Sequence, residues 1–274
     1  MGTTQTLSLI QPRPSPKMEK IYEALEKGYP GAKINQHNTD MFVLWGLIGS
    51  NTQYMVKDRF VFCDMPYSGR YDPNNEDWDN TFWRWCYNGL HDNRKLNVPS
   101  DRFEKWGHDI EFFEYVDYHD KIVICPSSET MTQYMHGKSV DKWIFDVKET
   151  LRCYTKRPIE VRKKPRSNGT SGPNAADAAG INQISLDLAN AHAVVVSGSI
   201  VAIDALKIGV PVFSTHECAP SAWCTNRDLS KINTPEYFNR EELFFNLAYK
   251  QYSIKEMREG ICYENSNRWL LSKS

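Results

Sequence analysis

The sequence predicts an α/β protein built on parallel β-sheets. Short apolar runs rich in Val and Ile, such as "HAVVV" at 192–196, are typical of strands that are buried on both faces. Several of these runs alternate with amphipathic segments of helical length, and this order produces β–α–β units. The chain has 274 residues, 41% hydrophobic and 24% charged, which is enough to bury a substantial core.

The first half of the chain mixes short apolar runs with long polar connections. "MFVLWGLIGS" (41–50) and "RFVFCDMP" (59–66) are predicted to be buried strands that run into turns. Residues 72–120 contain twelve acidic and five basic residues together with four tryptophans. We therefore expect this span to be an acidic, aromatic-rich insertion with some helix.

The second half is more regular. Its predicted order is a strand at 121–128, a helix at 141–154, a strand at 158–165, a helix at 181–191, and then strand, helix and strand over 192–215. The segment 240–263 carries two further amphipathic helices, which are not needed to cover the faces of the sheet in the second half. These helices are expected to pack back on the first half.

These elements predict two Rossmann-like domains. Residues 1–118 form an acceptor-side α/β domain with the insertion, and residues 119–274 form a second α/β domain with the C-terminal helices. Ligands of open α/β sheets bind beyond the carboxyl ends of the strands. The cleft between two domains that face each other is therefore the expected binding site.

Small polar residues stand where the strand at 192–196 gives way to a helix. The first N–H groups of a helix are unpaired and carry partial positive charge, so they bind anions. Gly198 lets an anion approach the backbone, while Ser197 and Ser199 offer hydroxyl groups. Asp204, further along this helix, can reach a sugar hydroxyl. The alternative is that Ser199 only caps the helix and that Asp204 is solvated.

A cationic strand end supports the phosphate interpretation. "PIEVRKKP" (158–165) ends with Arg162, Lys163 and Lys164, of which the first and third share one face of a strand. Such groups stabilise the charge of a diphosphate. The alternative is a solvated basic edge strand.

These motifs resemble the C-terminal half of GT-B glycosyltransferases. The resemblance rests on Ser197–Ser199, on Asp204-Ala205, on "GVPV" at 209–212, and on Arg162 with Lys164. It implies two Rossmann-like domains and a nucleotide-sugar donor, expected to be a UDP-sugar, bound by the C-terminal domain. The family more often has Glu where this chain has Asp204.

Other residues follow from their places at predicted strand ends. Ser127, after "KIVIC", and His216, after "VFST", are expected to contact the donor. Asp64 ends the strand "RFVFCD" and is the expected general base for an inverting reaction. The alternative is that Asp64 only forms a turn before Pro66. His37 and Asp40 precede the other strand and point to its opposite end, and a retaining enzyme needs no such base.

Composition limits the function classes. The net charge is -1 and no apolar stretch is long enough to span a membrane. Seven scattered cysteines without C-x-x-C pairs favour reduced thiols in a cytoplasm. The sequence Asp77-Trp78-Asp79 matches D-x-D formally but stands in a polar loop. Metal-independent chemistry is therefore expected.

The acceptor is open between two classes. In its small size, free cysteines and lack of a membrane segment, the chain is similar to phage-encoded enzymes that glycosylate hydroxymethylated DNA bases. For such an acceptor, Trp83, Trp85 and Tyr87 could hold a base, and the basic segment 152–166 could contact DNA. The tryptophans could equally be core or loop anchors. The alternative acceptor is a surface polysaccharide such as lipopolysaccharide or capsule. A further alternative is a non-catalytic nucleotide or sugar-phosphate binder.

Overall fold

The computed structural model describes residues 6–11, 16–36, 39–47, 51–55, 59–68, 77–106, 115, 120–163, 184, 187–188 and 190–270. Contacts divide the chain into unit 1, which is Met1–Arg102 with Phe245–Ser274, and unit 2, which is Phe103–Phe244. The boundary expected near residue 118 lies outside the described residues. Within the described ranges, no helix has the length and apolar character needed to cross a membrane.

The regular elements confirm a mixed α/β protein with parallel strands. In chain order they are β1 (Leu7–Ile10), α1 (Pro16–Gly28), β2 (Ala32–Ile34), β3 (Met41–Trp45), α2 (Thr52–Met55), β4 (Phe60–Asp64), β5 (Phe82–Tyr87), α3 (Asp101–Trp106), β6 (Lys121–Cys125), α4 (Glu129–His136), α5 (Val140–Arg152), β7 (Ile159–Val161), β8 (Ala191–Val196), α6 (Val201–Lys207), β9 (Val212–Ser214), α7 (Glu241–Ala248), β10 (Gln251–Ser253), α8 (Ile254–Arg258) and α9 (Ile261–Asn265).

Unit 1 contains a six-stranded sheet in the order β10-β5-β4-β3-β1-β2. Strands β2, β1, β3 and β4 run parallel, β5 pairs antiparallel with β4, and β10 pairs antiparallel with β5. All five residues of β3 are buried, as a central parallel strand requires. Helix α1 packs with α8, and Gly28 permits this close approach, since a Cβ there would lie 1.9 Å from the carbonyl oxygen of Met257.

The segment expected to be an insertion contributes a strand to this sheet. Residues Phe82–Tyr87 form β5, which pairs with β4 on one side and β10 on the other. Trp83 and Trp85 are buried in the core of unit 1 at 0% and 1% exposure. The proposed role of these two tryptophans in holding a DNA base is therefore wrong, because neither ring has a face that a ligand can reach.

The C-terminal segment also differs from the prediction. Two helices were expected over 240–263, but the segment forms α7, the short strand β10, and then α8 and α9. Residues from Phe245 onward belong to unit 1. Ser253 ends β10 and caps α8 in a capping box with Glu256, so strand and helix follow each other without a loop.

Unit 2 contains a four-stranded parallel sheet in the order β7-β6-β8-β9. Every residue of β8 is buried, in agreement with its continuous apolar sequence. Helix α5 buries Trp143, Ile144, Val147 and Leu151 at helical spacing against this sheet. Ser139 caps α5 by accepting a hydrogen bond from Lys142 N at 3.3 Å.

Candidate functional site

Predicted donor-binding residues follow the carboxyl ends of all four strands of the unit 2 sheet. Arg162 follows β7, Ser127 follows β6 after one proline, Ser197 follows β8, and His216 follows β9 after one threonine. Because the four strands are parallel, these residues share one edge of the sheet. This carboxyl edge is the place where an open α/β sheet binds a ligand.

Three serines of neighbouring strand ends form a hydroxyl cluster, which we define as Ser127, Ser197 and Ser214. The hydroxyl oxygens of Ser127 and Ser197 lie 2.9 Å apart, and Gly198 N donates to Ser127 Oγ at 3.3 Å. Ser214 Oγ donates to the carbonyl oxygen of Ser197 at 2.9 Å. Ser197 and Ser214 are buried. The cluster therefore fixes the turn that follows β8 before any ligand binds.

The turn continues into a short helix. Helix α6 begins at Val201, and Ser199 Oγ accepts a hydrogen bond from Val201 N at 3.4 Å. Ser199 therefore binds one N–H at the helix start, but the N-cap position is Ile200, which has no side-chain capping hydrogen bond. Asp204 is in the first turn of α6, half-buried, and lies near Cys125, whose thiol pKa is raised to about 12, mainly by burial. The sugar contact expected of Asp204 stays a prediction.

Gly198 lies directly against Met135 of helix α4. A Cβ built at Gly198 would lie 2.8 Å from both Cε and Sδ of Met135. The absence of a side chain here accordingly serves packing against Met135. An anion at this turn would contact the backbone beside Met135, whose flexible end can move.

The cationic strand end is ion-paired with acidic residues of unit 2. Arg162 Nε donates to Asp187 Oδ2 at 2.6 Å, and its side chain is 14% exposed. Lys163 Nζ lies 2.7 Å from Asp141 Oδ1 on an exposed surface. Lys164 lies outside the described residues. A diphosphate at Arg162 would have to share the guanidinium with Asp187.

Two imidazoles meet at this edge, of which the sequence predicted one. The rings of His216 and His136 are 5.4 Å apart in an edge-on arrangement, and Trp143 lies 6.0 Å from His136. Burial lowers the pKa of both histidines, and their mutual repulsion lowers that of His136 further. Both shifts favour the neutral imidazole. His136 was missed because it stands at the end of an amphipathic helix, where sequence alone suggests solvent.

The structure places Asp64 at the carboxyl end of β4 in unit 1. Its side chain is 27% exposed. Asp64 Oδ1 accepts a hydrogen bond from Met65 N at 2.8 Å, and Oδ2 accepts one from Arg84 Nη2 at 3.1 Å. Both oxygens are held while part of the carboxylate remains accessible. His37 lies outside the described residues. Asp40 Oδ2 accepts hydrogen bonds from the N–H and the hydroxyl group of Thr6.

Arg84 is a buried cation that the sequence analysis did not single out. It pairs with Asp64 in the register of β4 and β5, and its side chain is only 2% exposed. Its Nη1 lies 3.0 Å from His91 Nδ1, while Tyr67 Oη lies 3.3 Å from the same nitrogen. A buried guanidinium is costly unless it is paired in this way. The available signal was an arginine inside the aromatic strand "FWRWCY".

A second buried charge lies in the same unit. Lys250 Nζ donates to the carbonyl oxygen of Asp92 at 2.8 Å, and burial lowers the Lys250 pKa to about 8. Burial alone would raise the pKa of Asp92, but hydrogen bonds from Arg94 and the charge of Lys250 lower it. Asp92 and Lys250 thus anchor the segment that carries His91. These contacts join residues more than 150 positions apart, so no local pattern could reveal them.

The described residues contain no group of three or more His, Cys, Asp or Glu side chains placed to hold a metal ion. Asp79, of the formal D-x-D match, pairs with Arg258 through two contacts of 2.8 and 2.9 Å. Asp77 accepts hydrogen bonds from Asn80. Both carboxylates therefore have structural partners in the loop before β5.

Comparisons with known proteins identify the class of fold. No protein-family model matches the chain, and no curated protein matches it in sequence. Among solved structures it is similar to KpsC of Thermosulfurimonas dismutans, a beta Kdo 2,7 transferase, with a TM-score of 0.51 and 10% identity. This match covers 95% of the chain and 100% of the transferase.

A second structure from the same organism is similar over almost the same length. This is KpsC as a beta Kdo 2,4 transferase, with a TM-score of 0.50, 8% identity, and coverage of 92% of the chain and 93% of the transferase. At such identities the similarity concerns the fold. The chain thus has an α/β fold of the kind found in these two glycosyltransferases.

Proposed function

We propose that this protein is a glycosyltransferase that moves a sugar from a nucleotide-activated donor to a hydroxyl group of a glycan. The observation that carries the proposal is the fold similarity to two Kdo transferases over more than nine-tenths of the chain. The carboxyl edge of the unit 2 sheet supports it independently, because that edge concentrates hydroxyl groups and neutral imidazoles where α/β sheets bind ligands.

In this proposal unit 2 binds the donor. The N–H groups of the turn after β8, together with Ser127 and Ser199, would stabilise the negative charge that develops on the departing nucleotide. Arg162 would add a charged hydrogen bond from its guanidinium, and Lys164 remains a candidate beside it. Asp204 and His216 would contact the sugar or the base. UDP is the nucleotide expected from the sequence, within the GT-B arrangement that the same motifs imply.

Unit 1 would supply the general base. The acceptor hydroxyl transfers its proton to the Asp64 carboxylate as its oxygen attacks the anomeric carbon, and the bond between that carbon and the nucleotide breaks. Asp64 suits this role because Arg84 and Met65 N hold its two oxygens while part of the group stays accessible. A carboxylate held in one orientation loses less entropy at the transition state.

A glycan is the better-supported acceptor. The two structural neighbours are named as Kdo transferases, whereas the expectation of hydroxymethylated DNA and of a phage origin has no counterpart among them. The burial of Trp83 and Trp85 removes two of the three aromatic side chains offered for a flipped base. The surface polysaccharide alternative is accordingly the one proposed.

A transfer screen tests the proposal. The protein is incubated with UDP-, GDP- and CMP-activated sugars, and release of nucleotide is measured with bacterial polysaccharide fragments, with hydroxymethylated duplex DNA, and without acceptor. We expect nucleotide release from one class of donor to be faster with a glycan than without acceptor. Ser127→Ala should lower this rate more than Ser230→Ala, a control at an exposed serine. Transfer to DNA alone would favour hydroxymethylated DNA as the acceptor. Binding of a nucleotide-sugar without turnover would indicate a non-catalytic binding protein.

A further inference from the structure

The amino edge of the unit 2 sheet carries a cationic groove, which we define by the loop Cys153–Pro158 between α5 and β7. Asp120, just before β6, and Pro158, just before β7, line it and mark the edge at which these strands begin. Strand β6 has five residues, so this edge is roughly 16 Å from the hydroxyl cluster. The groove is therefore separate from the proposed donor site.

The groove has the size of a binding site. One part has a volume of about 770 Å³ and an adjoining part about 420 Å³, and Arg152, Thr155, Lys156 and Arg157 line both parts. Both parts border the same loop and are wide open to solvent. An open site of this kind leaves room for a ligand that is several units long.

The charge of the groove is strongly one-sided. Its cations are Lys148, Arg152, Lys156 and Arg157, and Asp120 is the one acidic residue among the lining side chains. Arg152 pairs with Glu149, but both are at least half exposed, and such a surface pair is weak enough to be exchanged for a ligand. A surface with one sign of charge concentrates ligands of the opposite charge.

The loop that presents these cations is held rigidly. The side chain of Thr155 is buried and its Oγ1 donates to Asn233 Oδ1 at 2.8 Å. Asn233 Nδ2 donates to the carbonyl oxygen of Tyr154 at 2.7 Å, and Thr155 N donates to Leu151 O at 2.9 Å. A preformed loop binds a ligand without the cost of ordering the backbone.

We infer that this groove binds an anionic glycan, several sugars long, through carboxylate or phosphate groups. Tyr154 supports a glycan, because this residue is 48% exposed and lines the groove, and an aromatic ring can pack against the ring carbons of a sugar. The choice of a glycan over a nucleic acid rests on the proposed function. A second contact far from the reacting hydroxyl would hold a long acceptor at high effective concentration.

Binding measured without catalysis tests the inference. Fluorescently labelled oligogalacturonate, a carboxylated glycan, is titrated with the full-length protein at several salt concentrations, beside neutral dextran oligomers and single-stranded oligothymidylate. We expect oligogalacturonate to bind most tightly of the three ligands, and its affinity should decrease as the salt concentration rises. The double variant Lys156→Gln/Arg157→Gln should lower the affinity for oligogalacturonate about tenfold.

The matched control is Lys138→Gln/Lys142→Gln, which removes two positive charges from the ion pairs with Asp146, outside the groove. Equal weakening by both double variants would overturn the inference, because net charge alone would then explain binding. Tighter binding of oligothymidylate, or no binding of oligogalacturonate, would also overturn it. If no sugar is transferred in the screen but oligogalacturonate still binds at the groove, the proposed transferase activity is refuted and the binding inference is retained.

Discussion

Unit 1 buries several charged side chains, whereas the buried polar groups at the carboxyl edge of the unit 2 sheet are mainly neutral. In unit 1, Arg84 and Lys250 are almost fully buried and depend on Asp64 and on the segment around Asp92. At the carboxyl edge in unit 2, serine hydroxyl groups and imidazoles of lowered pKa predominate. Buried charges depend on their partners, so loss of one partner should cost unit 1 more stability than loss of a neutral hydroxyl group costs unit 2.

The largest effect is expected at Asp64. Asp64→Asn keeps the size of the side chain but removes the proton acceptor, so the transfer rate should fall by about 10²–10⁴-fold. Nucleotide affinity, measured by calorimetry, should change little because the proposed donor site is in unit 2. Asp79→Asn, a carboxylate of unit 1 with its own arginine partner, is the control. An unchanged transfer rate in Asp64→Asn would mean that Asp64 is not the general base.

Arg84 tests the cost of the buried charges. Arg84→Met removes the partner of Asp64 and His91, and loss of one member of a buried ion pair typically costs about 3–5 kcal/mol of unfolding free energy. Arg258→Met breaks an exposed pair with Asp79 and should cost at most about 1 kcal/mol. Urea denaturation compares the two. Similar losses would mean that Arg84 contributes no more than a surface arginine.

Ser127 tests the neutral site. Ser127→Ala removes the acceptor of Gly198 N and the partner of the Ser197 hydroxyl, so the turn after β8 loses a fixed position. We expect donor-nucleotide affinity to weaken about tenfold, or about 1–1.5 kcal/mol, in calorimetry. Unfolding free energy should change less than in Arg84→Met. If Ser127→Ala affects only stability, the hydroxyl cluster is structural.

The smallest effect is expected from acidification of unit 2. Since the pKa of His136 is lower in the folded protein than its ordinary value of 6.5, the unfolded chain binds more protons between these two values. Stability is therefore full above about pH 6.5 and decreases as the pH falls through that window. Partial exposure keeps the effect below about 1 kcal/mol.

Urea midpoints at pH 7.5 and 5.5 check the pH effect. His136→Asn should reduce the difference between the two midpoints, and His216→Asn should reduce it as well, because burial lowers the pKa of that ring too. His216 also faces Glu217, which raises its pKa, and Arg227, which lowers it. An unchanged difference in both variants would mean that these imidazoles are not buried as neutral groups.

Local sequence patterns were sufficient for the strand–helix–strand unit at 192–215 and for the polar residues at its turn. Continuous β-branched runs, helical spacing and Gly or Ser punctuation act over a few residues, so they can be recognised without the rest of the chain. The same reasoning placed Asp64 at the end of a strand. These features are encoded in neighbouring residues, and the fold retains them.

Tertiary structure alone decided which charges are buried and which strands are neighbours. Gln251 of β10 pairs with Arg84 of β5, and Lys250 contacts Asp92, across more than 150 residues of chain. The sequence around 82–87 was interpreted as part of an insertion because acidic and aromatic residues surround it. Its position in the sheet depends on pairing with distant strands. Pairing and charge neutralisation are set by contacts between distant segments, and the periodicity of one segment carries no information about its partner.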